Sequence, residues 1–222
     1  MALSRLELRK VIREILSDNV SWPDSSINAW INEALRDFSN YFPRITSQDI
    51  NCTQDDRTYS LYECEGLREV LSVEFPQGDD PPRFVSRLSE KSPNFIGGPY
   101  YDLPFIATPG TIVLGEYPNT GDQIGVLFAG DHPLPTSDFI SITVKERHWG
   151  ALVLYVQWQA IRELEMDEAR EPDDSNIVLS MLGLNSGRAE RLYRSKLREY
   201  KATEAGGGPA GPWVMDGQDR IY

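Results

Sequence analysis

Apolar residues recur at helical spacing over the first 43 residues, in two successive stretches. This spacing predicts two amphipathic helices, at about residues 4–17 and from Asp24 to the residue before Pro43. Asp24 beside Pro23 can cap the second helix, and Pro43 ends it because the residue before a proline disfavours helix. The apolar positions are Leu8, Val11, Ile12, Ile15 and Leu16 in the first helix, and Ile27, Trp30, Ile31, Ala34, Leu35, Phe38, Tyr41 and Phe42 in the second.

The pattern changes between residue 44 and about residue 142. Short runs rich in β-branched and aromatic residues alternate there with Pro and Gly, which is typical of strands joined by turns. The segment 118–121 predicts a hairpin turn, and the Pro- and Gly-rich stretch 89–110 predicts a long loop on a sheet edge. The predicted strands are residues 58–61, 69–75, 84–88, 111–116, 123–129 and 139–142.

Helical spacing returns after residue 142. Thr143 and Glu146 stand at the spacing of a capping box, and apolar residues then repeat from Trp149 to about Arg170. A short helix is predicted at 173–182, and a fourth helix with six basic residues at about 188–203. The chain therefore predicts an α+β fold with three parts. These are a helical bundle (1–43 plus 143–204), an inserted antiparallel β-rich domain (44–142), and an extended C-terminal tail with its linker (205–222).

The distribution of charge disfavours one class of function. The 222 residues carry a net charge of −12, and residues 44–130 hold 13 acidic against 6 basic residues. Only residues 184–204 are basic, with 6 basic against 3 acidic residues. Because DNA binding depends on a basic surface that replaces counterions, this balance disfavours a DNA-reading protein.

Cysteine usage and hydropathy predict the cellular compartment in which the chain is made. The chain has two cysteines, Cys52 and Cys64, without a histidine at metal-ligand spacing, so we expect reduced structural thiols. No apolar run approaches the ~20 residues needed to span a bilayer, and the first residues lead directly into a charged helix. We therefore expect no membrane association and synthesis in the cytoplasm.

No motif predicts catalysis, a cofactor or a metal ion. The two histidines, His132 and His148, lack partners at the spacing of a zinc motif. Acidic residues gather at the end of the third helix, where they oppose the helix dipole: Glu163, Glu165, Asp167 and Glu168. Acid–base chemistry by Glu163 and Asp167 is conceivable. A solvated helix face is the simpler interpretation, and a cationic partner or an acidic channel wall would explain the position of the cluster.

Large apolar residues follow the Gly- and Pro-rich linker 206–212. Side chains on a tethered tail have no core of their own, so they are typical anchors for another protein. The alternative is a disordered end in which these side chains have no role. The candidates are Trp213, Val214, Met215, Ile221 and Tyr222. Tyr100 and Tyr101, in the predicted loop, are a second candidate contact, and packing within the loop is the alternative for them.

Several segments are more specific than helical or strand periodicity alone. Residues 22–24, the helix "INEALRDFS" at 31–39 and the segment 41–43 are similar to the opening of a family of tailed-bacteriophage proteins, the head-to-tail connectors (adaptors). Residues 67–76, which end in a Val-Glu-Phe-Pro strand, and the Pro-containing loop 131–135 before a long helix are similar to its later parts.

The resemblance implies a structural virion protein. Connector proteins form a ring, usually twelvefold, beneath the portal at the neck of the virion, and DNA passes through the ring without specific binding. Glu163, Asp167 and Glu168 would then line the channel. Arg188, Arg191 and Arg194 of the fourth helix would join the tail residues in binding the portal or a neighbouring subunit. A tail or neck protein is the further expected partner.

Three other functions stay open at the level of sequence. A neck or tail-completion protein of the same particle has the same general features. A receptor- or glycan-binding tail module would use the β-rich region with Tyr100 and Tyr101. A hydrolase would use the carboxylates of the third helix.

Overall fold

The computed structural model describes residues 3–16, 22–87, 104–108, 110–168 and 185–206. The chain divides into two compact units. The first, called here the helical unit, comprises Met1–Tyr41 and Leu134–Tyr222. The second, called the β-unit, is the continuous segment Phe42–Pro133.

The described part of the helical unit contains four α-helices. They are α1 (Arg5–Leu16), α2 (Asp24–Ser39), α3 (Trp149–Glu168) and α4 (Ser186–Gly206). A 3-10 turn at Glu146–His148, with Lys145 at its N-cap, precedes α3, so the α-helix begins later than the capping-box spacing of Thr143 and Glu146 indicates. The short helix predicted at 173–182 lies outside the described residues.

The core of the helical unit forms around α3, which contacts α1, α2 and α4. Removing the apolar faces of these helices from water stabilises the unit. The fully buried side chains come from all four helices and include Leu8, Ile12, Ile27, Ile31, Leu35, Phe38, Leu152, Val156, Ile161 and Tyr193.

The strand predicted at 139–142 is wrong. This segment forms a single isolated bridge, between Ser4 and Ser141. Its backbone bonds instead to the start of α1: Leu6 N–H donates to the Asp138 carbonyl (3.0 Å), and Ile142 N–H donates to the Leu3 carbonyl (2.7 Å). The first amides of a helix have no partner within the helix, and the loop satisfies two of them, those of Arg5 and Leu6.

The described β-unit is one seven-stranded sheet with the order β1-β7-β3-β4-β5-β6-β2. Neighbouring strands are antiparallel except β4 and β5, which are parallel. The strands are β1 (Arg44–Asn51), β2 (Thr58–Ser60), β3 (Leu67–Glu74), β4 (Phe84–Arg87), β5 (Pro104–Thr108), β6 (Thr111–Leu114) and β7 (Gln123–Gly130). The mixed α+β class predicted from the sequence is confirmed.

Two strands were not predicted, for different reasons. β1 is an edge strand without a fully buried residue, so its sequence lacks the apolar alternation that marks a strand. β5 lies within the stretch predicted as a long loop at a sheet edge, and it sits inside the sheet. Pro104 occupies its first position, where a missing N–H is tolerated. Five predicted strands are confirmed, with ends that differ by a few residues.

The sheet encloses a separate apolar core. Buried side chains alternate with more exposed ones along β2, β6 and most of β7, so one face of these strands is buried. The members are Tyr59, Leu61, Cys64, Val70, Val73, Phe75, Val85, Phe105, Ile112, Leu114, Ile124, Val126 and Phe128.

Candidate docking surfaces

The start of α4 is fixed by two polar residues. The Asn185 side chain accepts a hydrogen bond from the Arg188 amide (2.8 Å), as an N-cap residue does. Glu165 of α3 accepts from the Ser186 amide (2.8 Å) and from the Ser186 hydroxyl. A carboxylate at a helix N-terminus is favourable for the helix dipole. Glu165 therefore has a structural role, which explains one acid at the end of α3.

One face of α4 packs into the helical unit. Ala189, Tyr193 and Leu197, spaced by four residues, are buried. The Tyr193 ring lies edge-on to Tyr155 of α3, with 5.2 Å between ring centroids, and stacks 6.3 Å from Trp158. The Tyr193 hydroxyl donates to Asp37 of α2 (2.5 Å). This face thus joins α4 to both α2 and α3.

Arg194, predicted to bind a partner, is engaged within the helical unit. Its guanidinium donates to the Tyr41 hydroxyl (2.6 Å) and lies 3.4 Å from an Asp37 carboxylate oxygen. A second carboxylate, on Glu190, is 3.7 Å away. The structure therefore places Arg194 at the junction of α2 and α4.

The opposite face of α4 carries exposed arginines. Arg188, Arg191 and Arg198 are exposed, and their spacing of three and seven residues puts them on one side of the helix. We call these three residues the α4 arginine face. Arg198 was missed by sequence reasoning, although its seven-residue spacing from Arg191 was a readable signal. Partner binding by Arg188, Arg191 and Arg194 stays a prediction.

The predicted channel-lining acids lie on the second half of α3. Glu163 is half-buried. Asp167 and Glu168 belong to the last turn of the helix, and their side chains lie outside the described part. The channel role of these three residues stays a prediction.

An exposed turn in the β-unit combines an aromatic residue with two acids. Leu61 and Cys64 are buried and hold the turn, while Tyr62, Glu63 and Glu65 face solvent. Tyr62 is 92% exposed. We call residues 62–65 the acidic turn.

Backbone hydrogen bonds define the conformation of the acidic turn. The Leu61 amide donates to the Gly110 carbonyl (2.9 Å), and the Cys64 amide donates to the Leu61 carbonyl (3.0 Å). Gly66 follows with a φ of +71°, where a Cβ would lie 3.0 Å from the Asp131 amide nitrogen. Only glycine fits this position without a shift of the neighbouring backbone.

A second exposed aromatic residue, Phe139, stands on a loop that two arginines of α1 hold. Arg9 forms a two-pronged contact with Asp138 (2.8 and 3.2 Å), and Arg5 adds a bond of 3.0 Å. Such charge-assisted bonds are stronger than neutral ones. Phe139 itself is 84% exposed. The loop, held through Asp138, thus presents an apolar side chain to solvent.

The contact of Arg5 and Arg9 with Asp138, called here the arginine clamp, predicts that part of the stability of the folded protein is lost in acid. The hydrogen bond from Arg9, followed by that from Arg5, lowers the pKa of Asp138 from its usual value. A carboxylate whose pKa is lower in the folded state contributes stability above its unfolded pKa of about 3.9, and loses that contribution as pH falls through the folded pKa. We expect Asp138→Asn to lower the urea midpoint at pH 7, and the difference from the unsubstituted protein to shrink progressively below pH ~4.

A neighbouring substitution without a carboxylate provides the control. Ser137→Ala should keep the pH profile of the unsubstituted protein. A difference between Asp138→Asn and the unsubstituted protein that stays constant from pH 7 to pH 3 would contradict the clamp's electrostatic origin.

The described residues contain no group of three or more His, Cys, Asp or Glu side chains that could hold a metal ion. The two histidines lie in structural surroundings. His132 contacts the Phe42 carbonyl (3.0 Å), and His148 is buried 3.4 Å from Glu204. Burial lowers the pKa of His148, although Glu204 acts in the opposite direction.

Several candidate residues lie outside the described part of the chain. They are Tyr100 and Tyr101 in the β-unit and the tail residues Trp213, Val214, Met215, Ile221 and Tyr222. Their predicted roles are therefore untested. None of the described helices is long and apolar enough to cross a membrane.

Comparison with known proteins gives a family. No curated protein matches the sequence. The family model described as "SU10 adaptor protein" matches residues 4–214, which include all four described helices and all seven strands. This match confirms the resemblance to phage connector proteins that the N-terminal helices indicate. The chain therefore belongs to the SU10 adaptor protein family, a family of bacteriophage head-to-tail adaptors.

Proposed function

We propose that this adaptor joins the portal to the tail at the neck of the virion, as one subunit of a closed ring around the DNA channel. The family match carries this proposal, because it covers nearly the whole chain. Identical subunits that bind head-to-tail close into a ring when each contact adds the same rotation. Twelve copies would follow the usual connector ring.

The design of α4 supports a docking role. One face of this helix is tied to α2 and α3, and the other exposes the α4 arginine face. The helix then leads directly into the tail that begins after Gly206. Anchor residues on the tail would therefore start from a firmly held point, which lowers the entropy lost on binding.

The acidic balance of the chain supports passage of DNA. A net charge of −12 disfavours adhesion of a polyanion, because like charges repel it from the protein surface. We propose that Glu163, Asp167 and Glu168 contribute to the channel wall, where they would let DNA slide. The role is structural and non-catalytic, and it needs no cofactor.

Electron microscopy of the purified chain mixed with capsids that still carry their portal tests this proposal. The expected result is ring-shaped density beneath the portal, with the subunit count given by symmetry analysis. Capsids lacking the portal are the control and should gain no density. Density only at the tail side would favour a neck or tail-completion role, and no density on portal-bearing capsids would refute the adaptor assignment to the portal.

A further inference from the structure

Arg191 and Arg198 of the α4 arginine face carry positive charge that the acids of α4 do not neutralise in the part of the chain that the structure describes. Two of the acids of α4 are already paired: Glu190 lies 3.7 Å from Arg194, and Glu199 lies 2.8 Å from Lys196. Arg191 and Arg198 are exposed on the opposite side of the helix from Tyr193. This face is therefore suited to an anionic partner.

The β-unit of the same chain offers a surface of opposite charge. Its acidic turn presents Glu63 and Glu65 to solvent on either side of the buried Cys64. Tyr62 stands beside them with 92% of its surface exposed. Arginine binds carboxylates through a planar pair of N–H groups and also stacks on aromatic rings, so both parts of the turn match an arginine surface.

We propose that the α4 arginine face of one copy binds the acidic turn of the neighbouring copy. This inference rests on the ring of the proposed function and names the surfaces by which the copies recognise each other. The recognition pairs Arg191 and Arg198 with Glu63 and Glu65, while Tyr62 packs against a guanidinium group.

The two surfaces are unlike, so the contact can repeat from one copy to the next. Such repeats close into a ring when each contact adds the same rotation. A twofold dimer would make the same contact twice, with the arginine face of each copy on the acidic turn of the other. The charge complementarity is therefore compatible with the ring of the proposed function, and the number of copies in the assembly distinguishes a ring from a dimer.

The contact between copies is expected to be weak, which is consistent with a ring that assembles on the portal. Exposed ion pairs contribute little each and are weakened by salt. A free subunit is accordingly expected to be monomeric, and subunits held side by side on a portal gain the contact once per neighbour. The lateral contact then adds to portal binding through high effective concentration.

Two charge-reversed variants test the proposal. Variant A carries Arg191→Glu and Arg198→Glu, and variant B carries Glu63→Arg and Glu65→Arg. Both sets of positions are exposed, so the circular-dichroism spectrum and melting temperature should match those of the unsubstituted protein. Each variant alone would place like charges at every lateral contact, and we expect about tenfold weaker assembly on portal-bearing capsids.

An equimolar mixture of A and B should restore assembly. In a ring where A and B alternate, the glutamates introduced in A face the arginines introduced in B. At the next contact, the unchanged arginine face of B meets the unchanged acidic turn of A. The fully swapped variant, with all four changes in one chain, should also assemble. Restored assembly in the mixture is expected only if the two surfaces contact each other between neighbouring copies.

Other outcomes would overturn the inference. If the arginine face bound the portal, variant A would fail, variant B would assemble normally, and mixing would add nothing beyond B. Normal assembly by both variants would also exclude the contact, while rings of the unsubstituted protein on capsids would leave the proposed function intact. Failure of the unsubstituted protein to bind portal-bearing capsids would count against the proposed function.

If the unsubstituted protein does not bind portal-bearing capsids, a measurement in solution still tests the contact between copies. Sedimentation at low ionic strength should show association in the A and B mixture that neither variant shows alone. Absence of this association, together with no rescue on capsids, would reject the contact between copies.

Discussion

Removal of residues 207–222 is expected to abolish binding to portal-bearing capsids while leaving the melting temperature nearly unchanged. The truncation keeps α4 intact, because the helix ends at Gly206. It removes Trp213 and the other large apolar residues of the tail. A single desolvated Trp in a partner's pocket contributes on the order of a few kcal/mol, which corresponds to at least a hundredfold in affinity.

Point variants separate anchoring from the mere presence of a tail. Trp213→Ala should reproduce most of the loss, whereas Gln218→Ala, a polar change in the same segment, should leave binding unaltered. Co-sedimentation with capsids measures binding, and circular dichroism measures folding. Full binding by the truncated chain would rule out docking through the tail and would assign portal contact to the described units.

Tyr193→Ala is expected to lower the free energy of unfolding of the helical unit by about 3–5 kcal/mol, as do other truncations of buried aromatic side chains. Tyr193 is fully buried and packs against Tyr155 and Trp158 of α3. Its hydroxyl also donates to Asp37 of α2. The substitution removes packing to one helix and a hydrogen bond to another, so the attachment of α4 to α2 and α3 is weakened. Urea denaturation followed by circular dichroism measures the effect.

Two matched variants resolve the contributions of packing and hydrogen bonding. Tyr193→Phe keeps the ring and removes the hydroxyl, so a loss of about 1 kcal/mol is expected while Arg194 still faces Asp37. Leu192→Ala changes the adjacent residue, which is 43% exposed, and should stay within about 0.5 kcal/mol of the unsubstituted protein. Equal losses for Tyr193→Ala and Leu192→Ala would contradict the assignment of Tyr193 to the core.

Local pattern was sufficient for the four described helices. It missed two strands, predicted a strand at 139–142 that does not form, and predicted a hairpin at 118–121 although the flanking strands β6 and β7 are not neighbours in the sheet. The apolar stripe of α2 predicted its buried residues, because a helix places residues three and four apart on one face. β1 could not be found in this way. Its strand conformation depends on pairing with β7 along its whole length, and its side chains alternate without any becoming fully buried.

The candidate surfaces also combine features that the sequence predicts with features that only tertiary contacts decide. The excess of basic residues in α4 was readable from the sequence, but the sequence does not show which arginine meets a carboxylate from a distant helix. Arg194 was grouped with Arg188 and Arg191, and in the structure it contacts Asp37 and Tyr41. The acid Glu165 has its explanation in Ser186, which is 21 residues further along the chain.

The sequence by itself determined the family, the mixed α+β class, the helical stripes and the uneven charge, since each of these depends on residues close together in the chain. Only the tertiary structure decided the sheet order, the loop that Arg5 and Arg9 hold through Asp138, and the three arginines that remain exposed on α4. The physical reason is that strand pairing and ion pairing join residues that are far apart in sequence. Their partners are selected by the packing of the whole unit rather than by local preference.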